Sequence, residues 1–159
     1  MSIEVFFGLG SNLGDRELLI EQAVTLIGRM PVTRVLARSA LIETPAEGGA
    51  DQPPYLNGVL KAGTDLIAPM LHDLTRAIEM QMGRKGKGDG APRLIDIDLL
   101  LYGNEQFESP KLIIPHPRML GRLFVMRPLA ELAPELEFPG SGFTVTELLR
   151  ELEGRERNN

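Results

Sequence analysis

Apolar positions along the chain recur with two periods, near two and near 3.6 residues, and the order of these runs outlines an architecture. Residues 3–9 read as an apolar strand, closed by Gly8-Leu9-Gly10-Ser11-Asn12-Leu13-Gly14, whose three glycines in seven residues predict a tight turn. Asp15 can cap a helix reaching about Arg29, with Leu19, Ala23, Leu26, Ile27 and Met30 as its buried stripe. Residues 33–42 read as a second strand, parallel to the first because a helix intervenes. The stretch 44–54 holds three prolines and two glycines and reads as an irregular loop, long enough to line a site; residues 55–64 return as a third strand. Pro69 suits a first helical turn, and Leu71, Leu74, Ile78 and Met82 give a second helix stopped by Gly83. A fourth strand starts at Leu94, after Pro92, and ends before Tyr102-Gly103-Asn104.

Strand, helix, strand, strand, helix, strand is the order of a ferredoxin-like, split βαβ sandwich of the α+β class, with both helices on one face of the sheet. Right-handed crossovers predict the first and fourth strands together at the sheet centre. After it come a hairpin partner for the fourth strand, a short helical stretch with Arg122 and Phe124, and a further turn that Pro128 starts at 129–132. Thr144-Val145-Thr146-Glu147 has capping-box spacing and opens a terminal helix, so residues 1–159 read as one domain with an added hairpin and C-terminal helices.

Composition narrows the classes. A net charge of −5 argues against a broad nucleic-acid surface. No apolar run approaches a membrane span, and no basic, apolar leader opens the sequence. Without cysteine there is no disulfide framework and no thiolate nucleophile, which suits a soluble cytoplasmic protein.

Chemistry concentrates on the fourth strand. Alternation places Ile95, Ile97, Leu99 and Leu101 on one side and Leu94, Asp96, Asp98 and Leu100 on the other. Two carboxylates bracketed by leucines repel each other unless a cation sits between them, and oxygen-only ligands favour a hard ion such as Mg²⁺. On spacing alone, aspartates that are solvated or paired with Arg93 and Lys87 fit equally well. The loop before this strand holds four glycines and four basic residues within residues 83–93; it suits a polyphosphate, or a solvated surface loop. Tyr55 and Asn57 share one face of the third strand, which suits a planar heterocycle or an ordinary half-buried pair. His116, fixed between Pro115 and Pro117, is a structural histidine or a phosphate contact.

The run Asp89-Gly90-Ala91-Pro92-Arg93-Leu94-Ile95-Asp96-Ile97-Asp98-Leu99-Leu100 resembles the signature of the 6-hydroxymethyl-7,8-dihydropterin pyrophosphokinases of folate biosynthesis. Gly10-Ser11-Asn12-Leu13, Glu43-Thr44-Pro45, Asp51-Gln52-Pro53 with Tyr55-Leu56-Asn57, Ile78-Glu79 with Gly83-Arg84, Pro115-His116, and Pro128-Leu129 with Leu136-Phe138-Pro139 follow the family's order. The resemblance implies transfer of pyrophosphate from ATP to the pterin hydroxymethyl group, releasing AMP. It implies that Asp96 and Asp98 hold two Mg²⁺ ions and act with Arg84 and Arg93 as the catalytic residues. ATP would be bound by Arg84, Arg93, Lys111, His116 and Arg122, with Glu79 and Leu99 near the nucleotide. The pterin would lie between Tyr55 and Phe124, read by Asn57 and by Thr44 and Pro45. The implied protein is a cytoplasmic monomer with ATP and the pterin as its partners. Family members often carry a second arginine and a tryptophan in the basic loop, where this chain has Lys85, Lys87 and no tryptophan. A ferredoxin-like binding module without turnover, and a metal-dependent nucleotidyltransferase that releases pyrophosphate instead of AMP, use overlapping features.

Overall fold

The structure, a computed structural model, describes residues 2–46, 51–83 and 94–158. Its principal sheet joins β1 (Ile3–Ser11), β2 (Thr33–Arg38), β3 (Ile42–Thr44), β4 (Tyr55–Thr64) and β5 (Asp96–Tyr102). Four of these lie in the order β2-β4-β1-β5, and β3 pairs with β4. Every pairing in it is antiparallel. Since β1 and β2 are both antiparallel to β4, they run parallel to each other, as their intervening helix predicts. The first and fourth predicted strands do pair, but the centre belongs to β1 and β4, and β5 forms an edge.

Helices α1 (Arg16–Gly28) and α2 (Ala68–Gln81) cover one face. Ile20, Ala23 and Ile27 from α1 and Leu71 and Ile78 from α2 meet Val5, Phe7, Leu9, Leu60, Ile97 and Leu99 in one core. Ile20, not the predicted Leu19, leads the buried stripe of α1, because Leu19 is only half-buried. On the opposite face α3 (Leu123–Leu132) and α4 (Val145–Arg157) bring Val125, Met126, Leu129, Val145 and Leu152 against Phe6, Val59, Leu100 and Leu101.

Four local expectations change. Residues 33–42 are not one strand: the ladder breaks at Ser39, whose N–H donates to the Val59 carbonyl (2.9 Å) while its hydroxyl accepts from the Val59 N–H (2.9 Å). Leu101 does not share a face with Leu99, because Leu100 is inserted as a β-bulge between the pairs Phe6 with Leu101 and Phe7 with Leu99. The hairpin after Tyr102 is separate from β5 and pairs β6 (Phe107–Glu108) with β7 (Ile113–Ile114). Pro128 does not start a helical turn but lies inside α3, where it removes the N–H that would bond to the Phe124 carbonyl. The capping box that opens α4 forms as its spacing predicts: Thr144 Oγ1 accepts from Glu147 N–H (3.2 Å), and Glu147 Oε1 from Thr144 N–H (2.9 Å).

Candidate active site

The site lies on the α3 face of the sheet, at the end that the second core leaves uncovered. Cross-strand partners point to the same side, and Gly10 is opposite both Asn57 on β4 and Asp96 on β5, while Gly8 is opposite Val59 and Asp98. Asn57 and Tyr55 therefore stand on one flank and the half-buried Asp96 and Asp98 on the other, with two glycines between. Gly8 and Gly10 belong to β1 itself and not to the turn predicted for them; among the turn's glycines only Gly14, at φ +67°, needs the left-handed conformation. A Cβ on Gly10 would stand 2.9 Å from Asn57 Oδ1 and 3.3 Å from Tyr55 Cδ1. The glycine leaves the space that the amide and the ring occupy beside it. Its signal in the sequence was the period-two series Phe6, Gly8, Gly10 set against Phe7 and Leu9.

Asn57 is buried, and its Nδ2 donates to Thr44 Oγ1 at 2.7 Å, which fixes the amide and turns Oδ1 toward Gly10. Thr44 is half-buried at the end of β3, opposite Tyr55 in the register, while Pro45 is exposed beside it. Phe124 stands half-buried in the first turn of α3, which packs on β4. The Arg122 guanidinium lies 5.4 Å from the Phe124 ring centroid, within cation–π range.

On the β5 side, three contacts hold the aspartates' strand. Ser11 Oγ donates to the Leu94 carbonyl, just before Asp96. Glu79 is fully buried on α2, and its Oε2 accepts from the Ile97 N–H at 2.8 Å, between the two aspartates. Arg76 Nε lies 3.6 Å from the other Glu79 oxygen. The His116 N–H donates to the Leu100 carbonyl (3.0 Å), and the His116 Nδ1 accepts from the Arg118 N–H (3.2 Å). In the neutral ring this places the proton on Nε2.

The other predicted site residues fall in different places. The Leu99 side chain is in the α1/α2 core, so only its backbone can face a ligand at the β5 edge. Lys111 is exposed in the turn between β6 and β7. Arg84 and Arg93, with Lys85 and Lys87, lie outside the described residues. Residues to which the sequence assigns no site role complete the frame. Asn12 Nδ2 donates to the Pro53 carbonyl (3.1 Å), and Arg16 donates to the Pro54 carbonyl (3.0 Å) and to Glu43 Oε2 (2.7 Å).

Residues 6–134 match the model of the 7,8-dihydro-6-hydroxymethylpterin-pyrophosphokinase (HPPK) family. The chain belongs to this family. It is 41% identical over 155 residues to the 2-amino-4-hydroxy-6-hydroxymethyldihydropteridine pyrophosphokinase of Pseudomonas aeruginosa, covering 96% of this chain and 95% of that one. It is also 41% identical over 132 residues to the enzyme of that name from Bacillus subtilis, covering 83% and 79%. Among solved structures, Plasmodium falciparum HPPK-DHPS with pterin and p-hydroxybenzoate superposes with a TM-score of 0.76 at 15% identity, over 99% of this chain and 44% of that longer one. At that identity the likeness speaks for the fold: an antiparallel sheet with helices, as in HPPK domains. Among the described residues no helix is long and apolar enough to cross a membrane.

Proposed function

We propose that this chain transfers pyrophosphate from ATP to the hydroxymethyl group of 6-hydroxymethyl-7,8-dihydropterin in folate biosynthesis, giving AMP and the pterin diphosphate. The observation that carries the reading is the placement of Tyr55 and Asn57 opposite Asp96 and Asp98 across Gly8 and Gly10, on one face of the sheet. A flat heterocycle and a polyphosphate can then lie side by side. Membership of the HPPK family supports the same assignment.

Tyr55 and Phe124 supply the aromatic surfaces for the pterin, and the fixed amide of Asn57, with Thr44 and Pro45, reads its polar edge. The substrate hydroxyl attacks the β-phosphorus of ATP, the bond from that phosphorus to the α–β bridging oxygen breaks, and AMP leaves with the oxygen; the hydroxyl proton is released. No protein nucleophile is required, so the work of the chain is positioning and charge neutralisation. Arg122, with Arg84, Arg93 and Lys111, supplies positive charge to the phosphates, and His116 offers its Nε2–H as a donor; Arg84 and Arg93 are assigned the catalytic role. Glu79 acts indirectly, because its buried carboxylate accepts from the Ile97 N–H and so anchors the backbone between Asp96 and Asp98. Leu99 meets the nucleotide through its backbone.

Asp96 and Asp98 fit a hard divalent cation: they are half-buried oxygen donors on one face of a strand. Two Mg²⁺ ions held there together with the phosphates would screen their charge and polarise the transferring group. The strand order β2-β4-β1-β5, with α1 and α2 each joining parallel strands across one antiparallel neighbour, supports describing the fold as a ferredoxin-like split βαβ sandwich. The reading takes residues 1–159 as one pyrophosphokinase domain working as a cytoplasmic monomer, and size-exclusion chromatography tests the oligomeric state.

The test is to incubate the protein with ATP, MgCl₂ and 6-hydroxymethyl-7,8-dihydropterin and to resolve the nucleotides. AMP is expected only with both pterin and Mg²⁺, and Asp96→Ala or Asp98→Ala should lower its rate by roughly a hundredfold or more. Formation of ADP, release of free pyrophosphate, or no turnover overturns the reading.

A further inference from the structure

We infer that Arg16 is a positioning residue for the pterin: its guanidinium fixes the two chain segments that present Thr44 and Tyr55. The inference rests on the pterin site proposed above. Arg16 opens α1, directly after the Asp15 cap. One guanidinium nitrogen donates to Glu43 Oε2 at 2.7 Å and the other to the Pro54 carbonyl at 3.0 Å. Glu43 immediately precedes Thr44, and Pro54 immediately precedes Tyr55. A single planar group thus spans the two strands at the point where Thr44 and Tyr55 stand opposite each other.

This position matters because β3 has only three residues and pairs with β4 alone. So short a ladder leaves the relative setting of Thr44 and Tyr55 dependent on other ties. Thr44 in turn orients Asn57, since its hydroxyl accepts from Asn57 Nδ2. A shift of β3 therefore displaces the threonine, the amide it holds and the ring beside them together.

Arg16 acts without touching the substrate. Glu43 pairs with Leu56, which belongs to the α1/α2 core, so the clasp closes on the helix side of the sheet. Thr44 and Tyr55 face the other side. The Arg16 side chain is 28% exposed and that of Glu43 55%, so solvent partly screens the ion pair, and the bond to the Pro54 carbonyl carries the rest of the clasp. A guanidinium offers donors in a fixed fork, so lysine at this position can serve one acceptor at a time.

The experiment is steady-state AMP formation, with pterin varied at saturating MgATP and then ATP varied at saturating pterin. Arg16→Met should raise the KM for pterin roughly three- to tenfold, as expected for losing two partly exposed hydrogen bonds, with kcat and the KM for ATP within about twofold of wild type. Arg16→Lys should fall between wild type and Arg16→Met. Glu43→Ala should raise the pterin KM by less in the Arg16→Met background than alone, because the two residues share one interaction. An unchanged pterin KM in Arg16→Met, with only the thermal midpoint lowered, overturns the inference and leaves a structural ion pair. An equal rise in both KM values overturns it as well, since that reports general loosening. Wild-type protein that forms no AMP removes the functional reading, and this inference with it; normal wild-type turnover confines a negative result to Arg16.

Discussion

On the sheet face under α1 and α2, Val5, Phe7, Leu9, Leu60, Ile97 and Leu99 make one continuous apolar layer. On the opposite face the same strands carry Phe6, Leu100 and Leu101 at one end, a middle row of Val59, Gly8 and Asp98, and Gly10, Asn57 and Asp96 toward the other end. Helices α3 and α4 cover the first of these ends. The molecule thus separates two tasks between the two faces. One face supplies rigidity through close packing, which lets the other spend strand positions on carboxylates, an amide and absent side chains that contribute little to a core.

Truncating a side chain in the covered face should cost the most stability. Leu71 is fully buried on α2, and Leu71→Ala should cost roughly 2–5 kcal/mol of stability, the usual range for a truncated core leucine. Denaturant titration measures the loss, and the pterin KM below the transition should stay within about twofold of wild type. A pterin KM that rises in step with the lost stability would show that the two faces are not separable.

A smaller change tests the open face. Gly10→Ala places a methyl 2.9 Å from Asn57 Oδ1 and 3.3 Å from the Tyr55 ring, so amide and ring must shift. The expected result is a rise of roughly tenfold in the pterin KM, equivalent to about 1.4 kcal/mol, with little change in thermal midpoint. Gly8→Ala is the control, because the nearest atom its Cβ would meet is in the Leu100 side chain at an ordinary 3.5 Å. Equal effects from the two alanines would remove the special role given to the floor beside Asn57.

Much of this division is visible in the sequence, for a physical reason: a buried strand or helix must repeat apolar residues at its own period. Alternation along 55–64 correctly separates Tyr55, Asn57 and Val59 from Leu56 and Leu60. The same rule fails at Leu101, because a one-residue bulge reverses the faces and leaves no mark in residue type. Gly8 and Gly10 read as turn residues in the sequence because glycine signals both a turn and a clearance, and only the pairing of β1 with β4 and β5 distinguishes them. Glu79 illustrates a different limit. A glutamate on a helix is ordinarily a surface residue, and its burial against the Ile97 N–H depends on β5 being an edge strand with an unclaimed donor. Family resemblance proposes the chemistry-bearing residues of the candidate site and includes Asn12 in its Gly10-Ser11-Asn12-Leu13 run, but Arg16, and the ties that Asn12 and Arg16 make across the frame, emerge only from the contacts.

The lobe that covers the second face holds its helix α4 by a cap that includes none of the candidate site residues. Thr144 caps α4, whose Val145 and Leu152 reach the core around Phe6. Thr144→Ala removes the oxygen that accepts from the Glu147 N–H and should cost about 1 kcal/mol in denaturant titration at neutral pH. Glu147 completes the box, and the hydrogen bond its carboxylate receives from the Thr144 N–H holds its pKa below the ordinary glutamate value. A carboxyl with a depressed folded-state pKa stabilises the fold above its unfolded value and loses that contribution as pH falls through the lowered one. Glu147→Gln should therefore flatten this part of the acid-side decline while leaving the pterin KM unchanged. A pterin KM that moved in Thr144→Ala would mean that the α4 lobe reports to the site, and that the apolar and polar ends of the second face work as one unit.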